Sequence, residues 1–306
     1  MDKENGCFNG AKIKVGSIMR KWSDCPSCGH GESTHLYTHK PGKCIDGTVV
    51  RCVGCGLLFK MPFEENLNAT QANVDAYTGN FIEDDAIATG ELTEVLDFLC
   101  VTRHDRYGKL LELGCGPGKF LDLAKNRGFE VSGIEATEDL AQMARLKTAS
   151  DVVVGDILGV DLKEEKYDVV ILLDLIEHLQ DPVAVLKKYA ETIKNDGLVL
   201  VFTPNHSSLI VKIARLIYAV SFGIVKKPCD EIFDCLHVIF FNQQNLRRTL
   251  EKAGYEVTGH KMIPYRPERR NIATGITAWI LCLIERFSMA VSDGPFRMIM
   301  VARPKP

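Results

Sequence analysis

The 306-residue chain lacks any run of the ~18 uncharged apolar residues that a membrane span requires. Its two longest apolar stretches are both broken, 207–225 by Lys212 and Arg215 and 276–291 by Glu285 and Arg286. They read as amphipathic or buried helices. Residues Met1 to Lys21 mix charges with Asn and Gly and hold no apolar block of signal-peptide length, which predicts a cytoplasmic protein. Net charge is small, -3, so no global basic field attracts nucleic acid or an acidic membrane. Internal repeats and low-complexity tracts are absent too. With 46% hydrophobic and 25% charged residues, the composition excludes wholesale disorder. The length suits one α/β domain and a small accessory module.

Cysteine is the residue in surplus. Eleven are present, an odd number, and seven of them (Cys7, Cys44, Cys100, Cys115, Cys229, Cys235, Cys282) are scattered. That distribution does not read as a disulfide scaffold, and it agrees with a reducing compartment. The other four form two matched pairs, Cys25-Pro-Ser-Cys28-Gly and Cys52-Val-Gly-Cys55-Gly. Each reads as a knuckle in which the following glycine permits the turn that aims both thiolates at one ion. Four thiolates in a tetrahedral array indicate a structural zinc with no open coordination position. A redox pair is the weaker reading, since redox CxxC motifs do not usually come in twos. His30, His35, His39 and Cys44 lie in the loop between the pairs as substitute ligands.

The chain divides into a loose tail at 1–20, a metal-stapled ribbon at 21–62, a helical linker or cofactor cover at 63–105 and a main domain at 106–306. In the main domain short apolar runs alternate with helical patterns, the signature of a parallel sheet covered by helices. Strands are expected at Lys109–Leu113, Glu130–Ile134, Asp151–Val154, Tyr167–Leu172 and Gly197–Phe202. Helices are expected at Lys119–Arg127, Glu138–Thr148 and Pro182–Ile193, the last with Asp181 as N-cap and Pro182 in the first turn. A helix at Asn242–Ala253 and strands at Tyr255–Met262 and Phe296–Ala302 follow. Leu209, Ile213, Leu216, Ile217 and Val220 share one face of an apolar helical insertion at 207–228. A helix packed on the domain is the plainer reading of it. The sharper one is a lid or membrane-surface contact for a lipid or lipid-linked molecule, with Lys226 and Lys227 meeting an anionic headgroup.

The segment Glu112-Leu-Gly114-Cys115-Gly116-Pro-Gly118 joins a strand to a helix start. Three glycines allow a ligand to approach the backbone, and the helix N-terminus offers unpaired N–H groups. The spacing is not GxGxxG, which disfavours an NAD-dependent oxidoreductase, and no GxxxxGK[ST] loop is present.

This acidic-x-Gly-x-Gly-x-Gly loop resembles the first motif of the class I S-adenosylmethionine-dependent methyltransferases, and the resemblance runs over residues 107–260. It is carried further by Glu135 at a strand end, by Val153-Val-Gly-Asp156-Ile157, by Asp174-Leu-Ile-Glu177-His178-Leu-Gln-Asp181-Pro182, and by the strand at Gly197–Val201 followed by Thr203-Pro-Asn205. The resemblance implies a doubly wound Rossmann-like sheet of seven strands with an antiparallel edge hairpin. It implies that the methionine part of the cofactor lies over Gly114, Cys115, Gly116 and Gly118, with Glu112 fixing the loop. Glu135 then accepts from the ribose hydroxyls, Asp156 from the adenine amino group, and Ile157 packs on the ring. Tyr77 falls where related enzymes cover the cofactor. His178 is the candidate base, with orientation of the loop as an equal reading, and Asp174 the candidate contact to cofactor or substrate. His206 and His237 are further candidates. The expected reaction is methyl transfer to a small molecule, a sugar or a lipid-linked intermediate, on oxygen. A nucleic-acid or protein methyltransferase docking through the ribbon is the alternative, disfavoured by the modest charge and by the absence of an Asn/Asp-Pro-Pro-aromatic motif. A non-catalytic binding module is disfavoured by the intact glycine loop, Glu135 and Asp156.

Overall fold

Runs such as Val169-Val-Ile-Leu172 and Leu198-Val-Leu-Val-Phe202 lack polar alternation because both faces of their sheet are covered. The structure is a computed structural model, and it describes residues 24–39, 48–61, 86–162, 164–234, 236–264, 276–288 and 294–305. The tail at 1–20, most of the linker at 63–105, Tyr77, Cys7, Cys44 and Cys235 lie outside the described residues.

The strands are β1 (Ser33–Thr38), β2 (Thr48–Cys52), β3 (Leu58–Met61), β4 (Lys109–Leu113), β5 (Glu130–Glu135), β6 (Val152–Val154), β7 (Tyr167–Leu173), β8 (Ile193–Pro204), β9 (Ile239–Phe240), β10 (Tyr255–Ile263) and β11 (Arg297–Pro304). The helices are α1 (Ala86–Thr102), α2 (Lys119–Arg127), α3 (Glu138–Thr148), α4 (Pro182–Ala190), α5 (Leu209–Val220), α6 (Lys227–Ile232), α7 (Gln243–Lys252) and α8 (Ile276–Ser288). The large sheet has the order β10-β11-β8-β7-β4-β5-β6. β4 through β8 are parallel, and β11 is antiparallel to both its neighbours. The antiparallel strand is thus the inner member of the edge hairpin, with β10 outermost. Chain order reverses between β4 and β7, which opens a crevice beyond their C-terminal ends, the usual ligand position in such sheets.

Side chains alternate between the two faces with period two. Leu111, Leu113, Val170, Leu172, Val199, Val201, Met298 and Met300 pack on one side. Leu110, Val169, Ile171, Leu198, Leu200, Phe202, Ile299 and Val301 pack on the other, beneath α1, α2 and α3. Helix limits follow local chemistry. Asp181 accepts the Ala184 N–H at 2.9 Å with Pro182 next to it, and Asn242 accepts the Asn245 N–H at 2.8 Å. The helix expected over Pro182–Ile193 stops at Ala190, because Ile193 instead pairs with Tyr167 and opens β8 three residues later.

The ribbon strands do not stand alone. β1, β2 and β3 continue through β9 into one four-stranded sheet, with Leu58 opposite Phe240 and Phe59 opposite Ile239. Cys25, Val50, Cys52, Leu57 and Phe59 share a core with the main sheet. A segment too small to bury its own core is completed by the domain it precedes.

Candidate functional site

Strand β4 delivers the chain into a loop that three glycines make possible, at φ 68° (Gly114), 52° (Gly116) and 78° (Gly118). The N–H groups of Gly114 and Cys115 both donate to the Ile134 carbonyl, at 2.8 and 3.1 Å, which ties the loop to β5. The glycines differ in what a side chain would meet. A Cβ on Gly118 would lie 2.9 Å from the Ala144 Cα, so this glycine serves helix packing. A Cβ on Gly116 would meet nothing within 4 Å, so it borders open space. Cys115 turns its side chain inward against Gly133 and is buried, leaving only its backbone toward the crevice.

Two carboxylates flank the loop. Glu112 is buried, its Oε2 has no hydrogen-bond partner, and burial followed by the charge of Glu135 holds its carboxyl well above the usual range. Glu135 ends β5. Its Oε2 accepts the Gly116 N–H at 2.9 Å, and its Oε1 accepts the Thr137 N–H and hydroxyl, each at 3.0 Å. Three of about four acceptor positions on this carboxylate are therefore engaged within the protein. Beyond β6, Asp156 accepts the Leu158 N–H at 2.6 Å, and Ile157 packs half-buried on the core. The Ile157 carbonyl is held by the Tyr189 hydroxyl at 2.8 Å and the Lys188 ammonium at 3.0 Å.

Across the crevice, β7 is followed by Asp174, a residue with φ 48°. Its carboxylate accepts from the Arg297 guanidinium at 2.6 Å. Arg297 is buried on β11, lies 4.0 Å over the Phe202 ring and approaches Glu91 of α1 at 3.8 Å. Asp174 is thus anchored by an ion pair. Leu175, one residue on, meets the space above Gly114 and joins this segment to the glycine loop.

The 3-10 turn at Ile176–His178 brings an oxygen of Glu177 and nitrogens of His178 and His237 within 4.8 Å of one another. The Leu236 carbonyl accepts from His178 Nδ1 at 3.1 Å. A carbonyl can only accept, so this bond fixes the proton on Nδ1 and places the lone pair on Nε2. The His178 and His237 rings meet edge to face at 4.7 Å, and His237 Nε2 lies 4.0 Å from Glu177. Glu177 is buried, accepts the Thr203 hydroxyl at 2.9 Å, and is pushed up to about 8 by burial and the Asp174 charge. His206, the other candidate histidine, sits among Phe233, Phe240 and Phe296 with Nε2 on the Ile232 carbonyl. Burial pushes its pKa down to about 4, which makes it a neutral core residue.

The four ribbon cysteines converge. Cys25 and Cys55 sulfurs are 3.5 Å apart, as are those of Cys28 and Cys52. All four lie within 4.8 Å of one another. The two turns are equivalent: Gly29 (φ 76°) donates to the Cys25 carbonyl, and Gly56 (φ 73°) to that of Cys52. Burial opposes ionisation of Cys52, yet the Cys55 N–H and the neighbouring thiols hold it down at about 7. The loop histidines are used elsewhere, His35 on Thr38 and His39 beside Asp230.

Arg297, Glu91 and Thr137 were not singled out in the sequence, and Thr203 only as part of the segment after the fifth parallel strand. Arg297 had a signal, a lone cation inside the apolar strand Phe296–Val301. The bond of Thr203 to Glu177 arises from a spatial neighbour, whereas Thr137 lies only two residues from the Glu135 that it meets.

A family model described as a methyltransferase domain matches residues 85–260. The ubiquinone biosynthesis O-methyltransferase of Pseudomonas savastanoi pv. phaseolicola (strain 1448A / Race 6) is 34% identical over 105 residues, 32% of this chain and 45% of the relative. The enzyme of that description from Aeromonas salmonicida (strain A449) is 25% identical over 199 residues, 62% of this chain and 81% of the relative. The chain thus spans about half the length of the first of these relatives. Among solved structures, a SAM-dependent methyltransferase from Archaeoglobus fulgidus aligns with a TM-score of 0.52 at 18% identity, covering 75% of this chain and 98% of that one. Magnesium protoporphyrin IX methyltransferase from Synechocystis PCC 6803, with bound SAH, aligns at 0.52 and 14% identity over 77% and 95% of the two chains. At these identities the structures speak for the fold. With more than half of the chain inside the matched domain and the strand order described above, the chain belongs to the class I S-adenosylmethionine-dependent methyltransferase family.

Proposed function

We propose that this protein transfers the methyl group of S-adenosylmethionine to a hydroxyl of a small molecule. The observation that carries the reading is the crevice at the β4/β7 switch point, with Gly116 open on one side and the His178–His237–Glu177 cluster on the other. The similarity to O-methyltransferases supports oxygen as the accepting atom.

When bound, the cofactor supplies a methyl group on a sulfonium, which leaves readily. The residues present fit it: open backbone at Gly116, an unpartnered buried oxygen on Glu112, and carboxylates at two successive strand ends. Gly114, Cys115 (by its backbone), Gly116 and Gly118 hold the methionine part, Glu135 the ribose, and Asp156 with Ile157 the adenine. Glu135 grips both ribose hydroxyls only when Gly116 or Thr137 releases it. Positioning is the chain's main contribution to such a displacement. His178 takes the acceptor's proton on Nε2, its ring set by the Leu236 carbonyl. Asp174 fixes the wall of the crevice through Arg297.

The four ribbon cysteines hold one structural zinc in this reading. A Zn–S bond of about 2.3 Å sets tetrahedral sulfurs roughly 3.8 Å apart, and two pairs already stand at 3.5 Å. The metal keeps β3 in place beside β9. The Lys60 N–H on β3 donates to the Val238 carbonyl, and the Val238 N–H donates to the Glu177 carbonyl. The ribbon thereby helps to position the acceptor side. The exposed face of residues 207–228 meets lipid, and the acceptor is a lipid-linked molecule or approaches from a membrane surface.

Calorimetric titration with S-adenosylmethionine and with NAD tests the central claim. Micromolar binding of the first and none of the second is expected, and tighter binding of NAD overturns the reading. Turnover with a labelled methyl donor against a panel of phenols, sugars and lipid-linked hydroxyls then identifies the acceptor.

A further inference from the structure

Helix α5 and the loop after it leave an unusual amount of apolar surface in water. Leu216 is 62% exposed, Val220 66%, Phe222 95% and Ile224 81%. α5 packs beside α8, where Ile280, Leu283 and Phe287 are exposed as well. A soluble monomer rarely leaves so many large apolar groups together without a partner. Phe222 (φ 50°) and Gly223 (φ 79°) form a tight tip that presents Phe222 and Ile224 outward.

Charge says what the partner is. From Leu209 to Lys227 there are four cations, Lys212, Arg215, Lys226 and Lys227, and no acid. A second copy of the chain on this face would bring like charges together, so the charge pattern fits an anionic occupant. Behind α5, between it and β1 of the ribbon, lies a cavity of about 490 Å³. Its walls include Tyr37, Tyr218, Leu216 and Phe233, with Lys212 and Arg215 among them. Arg215 is half-buried and forms no hydrogen bond or ion pair among the described residues, and the nearby Arg51 guanidinium repels it. Asp230, the nearest acid to Tyr37, is taken by the Tyr37 hydroxyl and by His39. An unpaired, partly desolvated guanidinium in an apolar cavity calls for an anion.

A row of packed rings separates the cavity from the site. The cavity wall residue Phe233 stacks on His206 at 6.0 Å, His206 meets His237 at 6.4 Å, and His237 meets His178 at 4.7 Å.

We propose that the exposed faces of α5 and α8, the Phe222–Val225 tip and the cavity behind them form a docking surface for an anionic phospholipid bilayer, with Arg215 and Lys212 holding a headgroup phosphate. This deepens the lipid-facing reading of residues 207–228, on which it rests, and gives it residues and a headgroup charge. No helix among the described residues is long and apolar enough to cross a membrane. The contact is therefore interfacial, with apolar side chains at the acyl boundary and cations at the headgroups.

The test is co-sedimentation of the full chain with vesicles of phosphatidylcholine containing a minority of phosphatidylglycerol, against phosphatidylcholine alone. Anionic vesicles should bind at least about tenfold more tightly, with the difference shrinking in high salt. The double substitution Phe222→Asp with Ile224→Asp should weaken binding by about tenfold or more, and Arg215→Gln by several-fold. Both apolar residues are exposed and Asp tolerates a positive φ, so the double variant keeps the fold. Three results overturn the proposal: wild-type protein left in the supernatant, a double variant that pellets like wild type, or a dimer in sedimentation equilibrium that the double variant abolishes. SAH titration separates the two levels. Intact SAH binding with no vesicle binding removes the docking surface alone, whereas vesicle binding without SAH binding removes the methyltransferase reading and leaves the surface standing.

Discussion

On the cofactor side of the crevice, Gly116 and Glu135 are joined across 19 residues and Thr137 and Glu135 across two. On the acceptor side, Tyr37 reaches Asp230 across 193 residues, and Arg297 reaches Asp174 across 123. The first half is a series of strand-end turns, each built by its own stretch of chain. The second half is assembled from the ribbon, the segment after β8 and the last strand, none of which makes the surface alone. Cofactor binding should therefore tolerate damage to the acceptor half, and turnover should not.

The largest expected effect lies on the acceptor side. Replacing His178 by Asn should lower kcat by roughly 10²–10⁴ if it removes the acceptor proton, with S-adenosylmethionine affinity little changed and the rise of rate with pH lost. Normal turnover with an unaltered pH profile would reduce His178 to a loop-orienting residue. Next comes the cofactor side. Gly116→Val fills open space and should cut cofactor affinity by about a hundredfold while costing about 1–2 kcal/mol of stability for the strained φ. Gly118→Val instead strikes the Ala144 backbone, and its loss should appear first in thermal unfolding. If both variants bind the cofactor normally, the loop is not the site.

The ribbon sharpens the contrast. One zinc per chain is expected by elemental analysis, and Cys52→Ser with Cys55→Ser should release it. A structural zinc contributes several kcal/mol or more, so Tm should fall on the order of 10 °C. Cofactor affinity should stay within about threefold, while kcat drops as β3 loosens from β9. The smallest effect concerns Glu177. Its carboxyl titrates near 8 in the fold because burial and Asp174 disfavour its charge, against about 4.3 in an unfolded chain. The folded state thus binds the proton more tightly. The associated stability is complete below about pH 4.3 and is lost as pH rises through about 8, by a few kcal/mol at most. Glu112 is shifted in the same direction. Glu177→Gln should therefore flatten, without abolishing, the decline of the denaturation midpoint between about pH 4.3 and 8.

The cofactor half was legible because its chemistry is local. Three glycines between a strand and a helix, an acid one strand later and a Gly-Asp turn after the next are positions along one chain. The limits of α2 and α3 follow from the same kind of signal. His206 shows where that legibility fails. It follows the fifth parallel strand as a substrate-wall residue would, yet Phe233, Phe240 and Phe296 from three other segments enclose it. The ion pair of Asp174 with Arg297 is another such case, since nothing near Asp174 in sequence announces it.

By itself, the sequence determined the sheet, the glycine loop, the two knuckles and the apolar face of α5, each through periodicity or spacing within a short stretch. The tertiary structure decided what those parts meet. It joined the ribbon to β9, because three short strands cannot bury Val49 and Phe59 unaided. It made Glu177, His178 and His237 one cluster through backbone bonds from β3 to Val238 and from Val238 to Glu177. Long-range hydrogen bonds and shared burial have no period along a chain, and so they appear only once the chain has folded.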